Sequence, residues 1–515
     1  MSAPRTVVVL AAGEGKRMRS ALPKVLHPLL GRTLLGHVLH TMEPLGAQRH
    51  IVVVGHGADQ VTAYLAQAAP KAEPVLQAEQ RGTGHAVRTA LDAVPDVTGT
   101  VIVVYGDTPM LRSATLTAML DSHERLGMVA TVLTAHVDDP SGLGRIVRDE
   151  HGRIAGIVEH RDATPEQLAI NEVNTGVYAF DAAALRDAIG KLTAANDQGE
   201  EYLTDVLDLM MSTGRPVAAH PAGDAEEGLG VNDRTQLAAL AARLRDRINT
   251  DLMRSGVSML DPATTWIDVT VGIEPDATIE PNTQLRGATS VAAGAVIGPD
   301  TTLTNVVVGA GARVIRTHGS DSVIGAGASV GPFAYLRPGT DLAKAAKIGT
   351  FVETKNARIG EGSKVPHLTY VGDATIGRDV NIGAATIFVN YDGVHKHHTT
   401  VEDGVFVGCD TTLVAPVTVR AGAYIAAGSS INEEVPSGSL GIARARQRNI
   451  EGWVERKRPG TKAAKAAAAA ADSAADERAA ELAAASMATA DLAMDNPGGE
   501  AIAVAELTER DGSER

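Results

Sequence analysis

The sequence predicts an α/β domain with a mostly parallel, Rossmann-like sheet, followed by a parallel β-solenoid. Residues 1–234 alternate short β-branched runs with helical patterns, which is typical of a parallel sheet with helices on its faces. From about Val257 an aliphatic residue returns every six positions, a period that fits neither a helix nor a two-sided strand. The length of 515 residues exceeds what one hydrophobic core usually holds, so two domains are expected.

The first domain is predicted from its alternating segments. The β-branched runs predict strands at Thr6–Leu10, Ile51–Val54, Thr100–Val104 and Val129–Thr134. Helical patterns lie between them, for example at Leu34–Met42 and Gly84–Leu91. Ligands bind such sheets beyond the carboxyl ends of the strands, so the residues that follow the strands are candidate functional residues.

A glycine-rich segment follows the first predicted strand. Gly13 and Gly15 let backbone N–H groups approach a phosphate, and Arg17 and Lys24 add positive charge. The segment is neither a Walker loop nor a complete Gly-x-Gly-x-x-Gly motif, because position 18 is Met. The pattern indicates a phosphate-binding loop, and a glycine-rich surface turn is the alternative.

A carboxylate follows the strand that ends near Val104. Asp107, in the segment Tyr105-Gly106-Asp107, is expected to face the phosphate loop. Mg²⁺ binds few protein carboxylates and completes its shell with phosphate oxygens and water, so Asp107 is a candidate ligand. A helix N-cap or a turn residue is the alternative for an isolated Asp at this point.

The six-residue period of the second domain is clearest from Ile324 to Lys347. Small residues follow the aliphatic position, which fits short strands joined by tight turns, with aliphatic side chains stacked from coil to coil. The period continues at Ile273, Ile279, Leu285, Val291, Ile297 and Leu303 upstream and at Val407, Leu413, Val419, Ile425 and Ile431 downstream. It predicts a parallel β-solenoid, and a β-sandwich with regular turns is the alternative.

The period is interrupted near Thr350–Lys355, His367–Tyr370 and Asn390–Gly404. Interruptions of this kind predict loops that leave the coil, where functional residues concentrate. These stretches and the neighbouring turns contain Arg337, Lys355, His367, Tyr370, Asn381, Asn390 and Tyr391. For His395, His397 and His398 a solvated loop is favoured over a metal site, because no other ligands are evident.

The composition excludes several classes of protein. The formal charge of −15 at pH 7 argues against a nucleic-acid partner. A membrane span needs about 18 or more consecutive apolar residues, and the sequence contains no such run. The single cysteine, Cys409, excludes an intrachain disulfide and fits a reducing compartment, so a cytoplasmic protein is expected.

Two further segments complete the predicted organisation. Residues 235–255 have leucines at helical spacing and predict one linking helix, with Arg243, Arg245 and Arg247 on a solvated face. Residues 459–515 are rich in Ala and in acidic residues and have no apolar stripe, which predicts a disordered or fraying tail. The predicted parts are 1–234, 235–255, 256–458 and 459–515.

Several motifs resemble those of sugar-phosphate nucleotidyltransferases. They are Leu10-Ala-Ala-Gly-x-Gly-x-Arg17-Met18 with Pro23-Lys24, Gln77-Ala-Glu-Gln-Arg-Gly82-Thr83-Gly84-His85, Tyr105-Gly-Asp107, Gly144-Arg145-Ile146, Ile157-Val158-Glu159, Asn174-Thr-Gly and Gly230-Val231-Asn232. Together with the hexad solenoid, they resemble a bacterial family that combines N-acetylglucosamine-1-phosphate uridyltransferase and glucosamine-1-phosphate N-acetyltransferase activities. The resemblance covers residues 5–458.

The resemblance implies a nucleotidyltransferase fold followed by a left-handed β-helix of hexapeptide repeats. It implies that the solenoid transfers an acetyl group from acetyl-CoA to glucosamine-1-phosphate. The first domain would then couple the product to UTP with Mg²⁺, giving pyrophosphate and UDP-N-acetylglucosamine, a precursor of peptidoglycan and lipopolysaccharide-type envelopes. It also implies a homotrimer that acts on small molecules, with the acetyl-transfer sites between subunits.

The resemblance also implies roles for individual residues. Arg17 and Lys24 would stabilise the triphosphate, Asp107 and Asn232 would hold Mg²⁺, and His367 would take the proton from the glucosamine amine. Contacts to UDP-N-acetylglucosamine would come from Leu10, Ala11, Ala12, Gly13, Lys24, Gln77, Gly82, Thr83, Tyr105, Gly106, Asp107, Gly144, Glu159, Asn174 and Asn232. Glucosamine-1-phosphate would be bound by Arg337, Lys355, Tyr370 and Asn381, and acetyl-CoA by Ala384, Asn390, Tyr391, Cys409, Ala427 and Arg444.

The sequence departs from this family at two positions. Cys409 stands where the family commonly has Ser, and a thiol is the weaker hydrogen-bond donor. Ala385 replaces a common Gly, which changes the local backbone freedom.

Two other functions are weighed against the bifunctional one. A single-activity nucleotidyltransferase could use the solenoid only for assembly, but His367 and Lys355 argue against it. A non-catalytic regulatory protein could share the architecture, as translation exchange-factor subunits do, but Lys24, Asp107 and Asn232 argue against that function.

Overall fold

The computed structural model describes residues 3–193 and 199–494 of the chain. The chain divides into two compact units, of which the first ends at Ala443 and the second begins at Arg444. The first unit contains an α/β part, built on one large sheet, and a long stack of short parallel strands. The predicted fold classes, an α/β sheet and a parallel β-solenoid, are confirmed.

A mostly parallel sheet forms the centre of the α/β part. Its strands lie in the order Val217–Pro221, Ala130–His136, Glu172–Asp181, Thr100–Tyr105, Arg5–Ala11, Arg49–Val54 and Ala72–Leu76. Glu172–Asp181 runs antiparallel to both neighbours, and a hairpin of Arg145–Arg148 and Ile154–Val158 pairs with it. Parallel strands end at one edge of a sheet, which brings the segments after Ala11 and Tyr105 together.

Helices cover both faces of this sheet, because its central strands alternate apolar side chains between two layers. Val8 and Leu10 of the first strand pack in one layer, and Val7 and Val9 pack in the other. The helices span Leu34–Met42, Ala58–Ala68, Thr83–Ala93, Ser113–Leu126, Pro165–Leu168, Ala182–Ile189 and Thr204–Ser212. Short 3₁₀ turns span Lys16–Met18, Lys24–Leu26, Glu43–Leu45 and Ala225–Gly228, and a small hairpin joins Pro28–Leu29 to Arg32–Thr33.

The strands of the solenoid form two parallel ladders. One contains Ser258–Met259, Thr278–Ile279, Val296–Ile297, Arg313–Val314, Ser329–Val330, Lys347–Thr350, Lys364–His367, Asn381–Ile382, Phe406–Val407, Tyr424–Ile425 and Leu440–Gly441. The other contains Trp266–Ile267, Gln284–Arg286, Thr302–Val308, Thr317–Ile324, Ala334–Leu336, Glu353–Ile359, Tyr370–Ile376, Ile387–Val389, Thr412–Val414 and Ser430–Ile431. Gly272–Ile273, Ser290–Val291, Asp341–Leu342, Thr399–Val401 and Val417–Val419 pair with it at the sides, and a 3₁₀ turn spans Pro262–Thr264.

The register of these strands explains the hexad period. Residue 278 pairs with residue 296, so a regular coil takes 18 residues, which equals three hexads. The aliphatic residues point inward as predicted, and Ile279, Ile297 and Val314 stack on successive coils with no exposed surface. The solenoid core is therefore a narrow column of aliphatic side chains.

One corner of the solenoid carries residues in the left-handed region of backbone conformation. Positive φ angles occur there at Asn282, Asp300, Arg316, Phe333, Phe351, Leu368, Ala385 and Asp410. The Ala385 departure therefore falls on this corner, with a φ of 58°. The left-handed region costs about 1–2 kcal/mol for a residue with a Cβ, so Ala385 is a strained position.

Replacing Ala385 by Gly is expected to stabilise the solenoid. Glycine adopts positive φ without the steric cost, although its extra freedom in the unfolded chain offsets part of the gain, so the free energy of unfolding should rise by about 0.5–1 kcal/mol. Denaturant unfolding of the two proteins measures the change. Ala326→Gly is the control, since Ala326 is exposed and is absent from the positive-φ residues, and it should be destabilising. A less stable Ala385→Gly protein would show that the site is unstrained.

The structure corrects two of the three loops that the interruptions predicted. Lys347–Thr350 and Glu353–Ile359 follow each other through a short turn, and Lys364–His367 and Tyr370–Ile376 do the same. The coil continues through both places, so the prediction of loops there was wrong. Longer strands and a tight turn disturb the sequence period without an insertion.

The third interruption is a loop, as predicted. Asn381 pairs with Phe406, a step of 25 residues in place of the regular 18. The additional residues lie between Val389 and Thr399, where one strand ends and the next begins. The loop leaves the coil beside the candidate residues Asn390 and Tyr391.

A helix of 21 residues, Arg234–Arg254, links the sheet to the solenoid. Its arginines do not all lie on the predicted solvated face. Nη1 of Arg247 donates to the carbonyl of Met110 in the α/β part at 2.9 Å. The guanidinium of Arg245 lies 4.8 Å from the ring centre of Trp266 in the solenoid. The helix therefore contacts both parts through side chains that were expected to be solvated.

The second unit contains the helices Trp453–Lys457 and Lys462–Met494. The long helix lies within residues 459–515, for which the sequence predicts a disordered or fraying tail. Alanine has the highest intrinsic helix propensity, which accounts for a helix here without an apolar stripe. Its side chains are mostly exposed as far as Met487. Within the described residues, the helices are too short or too polar to cross a membrane.

Candidate active sites

The cleft at the carboxyl edge of the sheet begins with the glycine-rich segment after Ala11. Gly15 has a φ of 63° and precedes the turn Lys16–Met18. A Cβ at Gly15 would lie 2.8 Å from the Cβ of Lys24. Glycine at this position therefore lets the segment pass close to Lys24.

An ion pair between Lys24 and Asp107 lies in this cleft. Nζ of Lys24 donates to Oδ2 of Asp107, and each side chain is 15% exposed. Asp107 follows the strand Thr100–Tyr105, and the N–H of Gly106 donates to the carbonyl of Leu10 at 2.9 Å. The structure thus brings together the loop and the carboxylate that follow two separate strands.

Asp107 and Asn232 fit a magnesium site. Both line one cavity, and the N–H of Val231 donates to the carbonyl of Asp107 at 3.1 Å, which holds the Asn232 segment against the strand end. One carboxylate and one amide oxygen suit Mg²⁺, which takes its other ligands from phosphate and water. No group of three or more His, Cys, Asp or Glu side chains suited to a metal ion occurs in the described parts of the chain. A bound ion would therefore depend on oxygens of the ligand.

A cavity of about 360 Å³ extends from this ion pair toward the residues predicted to contact uracil. Nε2 of Gln77 donates to the carbonyl of Gly82 at 3.2 Å and lies 3.0 Å from Nδ1 of His85. The predicted residues that line the cavity are Leu10, Ala11, Ala12, Gly13, Lys24, Gln77, Gly82, Thr83, Tyr105, Asp107 and Asn232. The structure therefore assembles most of the predicted nucleotide contacts around one space.

A second cavity, of about 540 Å³, shares Thr83 and Tyr105 with the first. Its walls include the predicted residues Arg17, Glu159 and Asn174. Gly144 lies beside it, because a Cβ at Gly144 would lie 3.5 Å from both carboxylate oxygens of Glu159. Gly106 packs behind the cavities, where a Cβ would lie 3.3 Å from the carbonyl oxygen of Leu10. The two cavities adjoin, as two reacting substrates require.

The second cavity has a desolvated carboxyl group. Burial raises the pKa of Glu159, and the charges of Asp162 and Asp205 raise it further. Nδ2 of Asn174 donates to the hydroxyl of Tyr178 at 2.7 Å, which orients the amide. Polar groups held in place in a buried cavity form strong hydrogen bonds to hydroxyl-rich ligands.

Several lining residues were not predicted. Nε2 of Gln80 donates to the carbonyl of Ala12 at 2.8 Å and closes one side of the first cavity. The others are Val25, Ala86 and Glu200 in the first cavity and Gly142, His160, Arg161, Asp162, Tyr202 and Thr204 in the second. The motif Gln77–His85 was an available signal for Gln80, whereas Glu200 and Tyr202 reach the cavities through tertiary contacts.

A polar network crosses adjacent coils of the solenoid around Asp373. Oδ1 of Asp373 accepts a hydrogen bond from Nδ2 of Asn356 at 2.8 Å. Oδ2 accepts from Nδ2 of Asn390 at 2.5 Å and lies 3.8 Å from Nζ of Lys355. The hydroxyl of Tyr370 lies 3.4 Å from Nδ2 of Asn390. The network unites three predicted residues, although Asp373 itself was not predicted.

The charges of this network suit an anionic ligand. Burial raises the pKa of Asp373, but the hydrogen bonds from Asn356 and Asn390 and the charge of Lys355 outweigh it and lower the pKa below its usual value. Contact with Lys355 lowers the pKa of Lys396. Two neighbouring ammonium groups beside one carboxylate leave this surface positive, as a phosphate site requires.

The other predicted residues of the solenoid make separate contacts. Nη1 of Arg337 donates to Oε1 of Glu353 at 2.9 Å. His367 is exposed, and no hydrogen bond joins its ring to another residue in the described part of the chain. Asn381 begins the next strand of the same ladder, and Arg444 belongs to the second unit. A single chain therefore does not join His367 to the Asp373 network.

Three residues predicted to bind acetyl-CoA lie above one another at a corner of the solenoid. The N–H of Asp410 donates to the carbonyl of Ala384 at 2.7 Å, and the N–H of Gly428 donates to the carbonyl of Cys409 at 2.9 Å. Ala384, Cys409 and Ala427 therefore occupy equivalent places on successive coils. Cys409 is exposed at this corner.

The loop that follows Asn390 is organised by Asp392. The N–H of His395 donates to Oδ1 of Asp392 at 2.6 Å, and Nε2 of His397 lies 2.7 Å from Oδ2. These two contacts hold the pKa of Asp392 well below its usual range. Tyr391, another residue predicted to bind acetyl-CoA, lies exposed in this loop.

The two regions suit different reactions. The first combines a lysine, a carboxylate and two adjoining cavities, which can align two phosphate-bearing substrates and neutralise their charge. The second combines a positive surface with an exposed histidine, which can take a proton from a nucleophile bound beside it.

Comparison with known proteins gives concordant matches. Residues 7–210 match the family model of the MobA-like NTP transferase domain. A relative from Corynebacterium glutamicum, named "Bifunctional protein GlmU", is 55% identical over 465 residues, which cover 90% of this chain and 96% of the relative. Proteins of the same name from Streptomyces avermitilis and Kineococcus radiotolerans are 56% and 58% identical over 466 and 465 residues. Each alignment covers 90% of this chain, and they cover 97% and 94% of those relatives.

Proposed function

We propose a division of labour between two sites in this chain, which belongs to the family of bifunctional GlmU proteins. The chain is an enzyme that makes UDP-N-acetylglucosamine through acetyltransferase and uridyltransferase activities. The solenoid transfers the acetyl group of acetyl-CoA to the amine of glucosamine-1-phosphate. The α/β part then couples N-acetylglucosamine-1-phosphate to UTP and releases pyrophosphate.

The position of the Lys24–Asp107 pair between the phosphate loop and two adjoining cavities is the observation that carries this proposal. The nucleotide occupies the cavity beside Gln77, and the acetylated sugar occupies the cavity beside Glu159 and Asn174. The cavities share a wall, so the phosphate oxygen of the sugar can approach the α-phosphorus of UTP from one side while pyrophosphate leaves from the other.

Charge neutralisation is the main task of the first site. Asp107 and Asn232 would hold Mg²⁺, which supplies positive charge to the phosphates when it is bound. Lys24 neutralises Asp107 in the ligand-free chain and faces the triphosphate once the nucleotide is present. Arg17 adds a second cation at the edge of both substrates. The side chains thereby reduce the repulsion between an anionic nucleophile and an anionic electrophile.

The second site binds a sugar phosphate and removes a proton. Lys355 and Arg337 hold the phosphate, with Tyr370 and Asn381 around the sugar. His367 takes the proton from the amine as its nitrogen attacks the thioester carbonyl, and the coenzyme leaves as a thiol after protonation. The corner formed by Ala384, Asn390, Tyr391, Cys409, Ala427 and Arg444 binds acetyl-CoA.

We also propose that the cytoplasmic enzyme assembles as a homotrimer, as the family resemblance implies. Beside the exposed His367, one corner of the solenoid exposes the apolar side chains of Phe333, Phe351 and Leu368. The rings of Phe333 and Phe351 stack with their centres 5.4 Å apart. Exposed apolar side chains grouped in this way are typical of an interface, which supports completion of the acetyl-transfer site by a second copy.

Phe351→Asp is expected to disrupt this assembly. The wild-type protein should sediment with three times the chain mass of 53.3 kDa. The variant should shift toward a single chain, and acetyl transfer should fall at least about tenfold while uridylyl transfer continues, because a carboxylate at an apolar interface is costly. Leu260→Asp, at an exposed apolar position near the start of the solenoid, is the control. A trimer that persists in Phe351→Asp would place the interface elsewhere.

Separate assays of both half-reactions on the purified protein test the function as a whole. Acetyl transfer is followed by release of free coenzyme A thiol with glucosamine-1-phosphate, and uridylyl transfer by release of pyrophosphate with N-acetylglucosamine-1-phosphate. Uridylyl transfer alone would identify a single-activity enzyme. The absence of both reactions would favour a regulatory protein.

A further inference from the structure

Glu201 is a buried carboxylate beside the nucleotide cavity that the mechanism above does not use. Its side chain is 6% exposed and pairs with two guanidinium groups. Nη2 of Arg81 donates to its Oε1 at 2.7 Å, and Nη2 of Arg88 donates to its Oε2. Arg88 forms an ion pair with no other carboxylate among the described residues, and its Nε is buried without a partner there.

The backbone of Glu201 binds the same loop as its side chain. Its N–H donates to the carbonyl of Arg81 at 2.8 Å, and its carbonyl accepts from the N–H of Gly84 at 2.8 Å. A Cβ at Gly82, which has a φ of 103°, would lie 2.5 Å from the carbonyl oxygen of Glu201. The approach is so close that only glycine fits at position 82. The segment at Glu201 therefore holds residues 81–84 by backbone and side-chain contacts together.

This loop forms a wall of the nucleotide cavity. Gly82 and Thr83 line the cavity, and the carbonyl of Gly82 accepts from Gln77. We propose that Glu201 is a positioning residue for the uridyltransferase, which clamps residues 81–84 in the conformation that receives the uracil. The inference rests on the proposed assignment of the uracil to Gln77, Gly82 and Thr83.

The charge of Glu201 is the essential part of the clamp. Its hydrogen bonds to two guanidinium groups are charge-assisted and directional. Without it, Arg81 and Arg88 repel each other, and Arg88 keeps a largely buried charge with no ionic partner. The loop then adopts other conformations, and part of the binding free energy of UTP is used to order it again. The consequence is weaker binding of UTP, with little effect on the chemical step.

Glu201→Gln in the full-length protein tests the clamp. It is expected to raise KM for UTP about tenfold and to change kcat and KM for the sugar phosphate less than about threefold. Acetyl transfer should be unchanged and reports that the chain is folded. Arg81→Gln, at a half-exposed side chain, should give a smaller rise in KM for UTP. The effects of the two substitutions should not add in the double variant, since they break one contact.

Glu124→Gln is the matched control. Glu124 pairs with Arg5 through two hydrogen bonds of 2.7 and 2.9 Å at the opposite end of the first strand. It should lower stability without changing KM for UTP. An unchanged KM in Glu201→Gln and Arg81→Gln, or an equal rise in Glu124→Gln, would overturn the clamp. Wild-type protein that does not use UTP would instead overturn the proposed function, so the two failures are distinguishable.

Discussion

Asp107→Ala is expected to abolish uridylyl transfer while acetyl transfer continues at the wild-type rate. The substitution removes the proposed carboxylate ligand of Mg²⁺ and leaves Lys24 without its ionic partner. Charge neutralisation supplies most of the catalysis of phosphate transfer, so the loss should be at least about a thousandfold. Pyrophosphate release from UTP and N-acetylglucosamine-1-phosphate measures it, and coenzyme A release with glucosamine-1-phosphate measures the other reaction in the same preparation.

A matched control separates this effect from damage to the fold. Asp121 is an acidic residue of the same domain whose side chain is 65% exposed and pairs weakly with Arg5, so Asp121→Ala should leave both activities intact. A chelator added to the wild-type enzyme should reproduce the Asp107→Ala result, with uridylyl transfer lost and acetyl transfer retained. Loss of both activities in a folded Asp107→Ala protein would contradict two independent sites.

The first site was predictable because its residues follow regular elements. Glycines after one strand and Asp107 after another identify two strand ends, and the topology of a parallel sheet places those ends at one edge. The same reasoning could not find Glu201. Its role depends on contacts with Arg81 and Arg88, which lie more than a hundred positions earlier in the sequence. A carboxylate in an irregular segment carries no local pattern that reports such a pairing.

The solenoid presents the reverse situation. Its regularity was visible in the sequence, and that regularity also contained the signal for Asp373. Asn356, Asp373 and Asn390 are each 17 positions apart, which is one coil, so their side chains meet at one corner. Interruptions of the hexads were a poorer guide. Near Phe351 and Leu368 they reflect turn residues with positive φ within a continuous coil, because such turns accept non-glycine residues at a modest cost.

His367→Ala is expected to have the opposite effect to Asp107→Ala. Acetyl transfer should fall by about 10²–10⁴, the range for loss of a positioned general base, while uridylyl transfer is unchanged. The reason is chemical, because the amine of the sugar phosphate must lose a proton as it attacks the thioester, and His367 is the proposed acceptor. The ring is exposed in one chain and makes no hydrogen bond within the described residues, so its removal should not lower stability. Thermal unfolding of both proteins checks that expectation.

His318→Ala is the control for this experiment, since His318 is an exposed histidine of the same solenoid that contacts the ring of Tyr335. Both activities should survive in it. The kinetic separation also matters: a base acts in the transition state, so His367→Ala should lower kcat with little change in KM for glucosamine-1-phosphate. A variant that raises only KM would make His367 a binding residue. A fully active His367→Ala enzyme would direct attention to the Asp373 network, where a carboxylate and Lys355 already lie within 3.8 Å of each other.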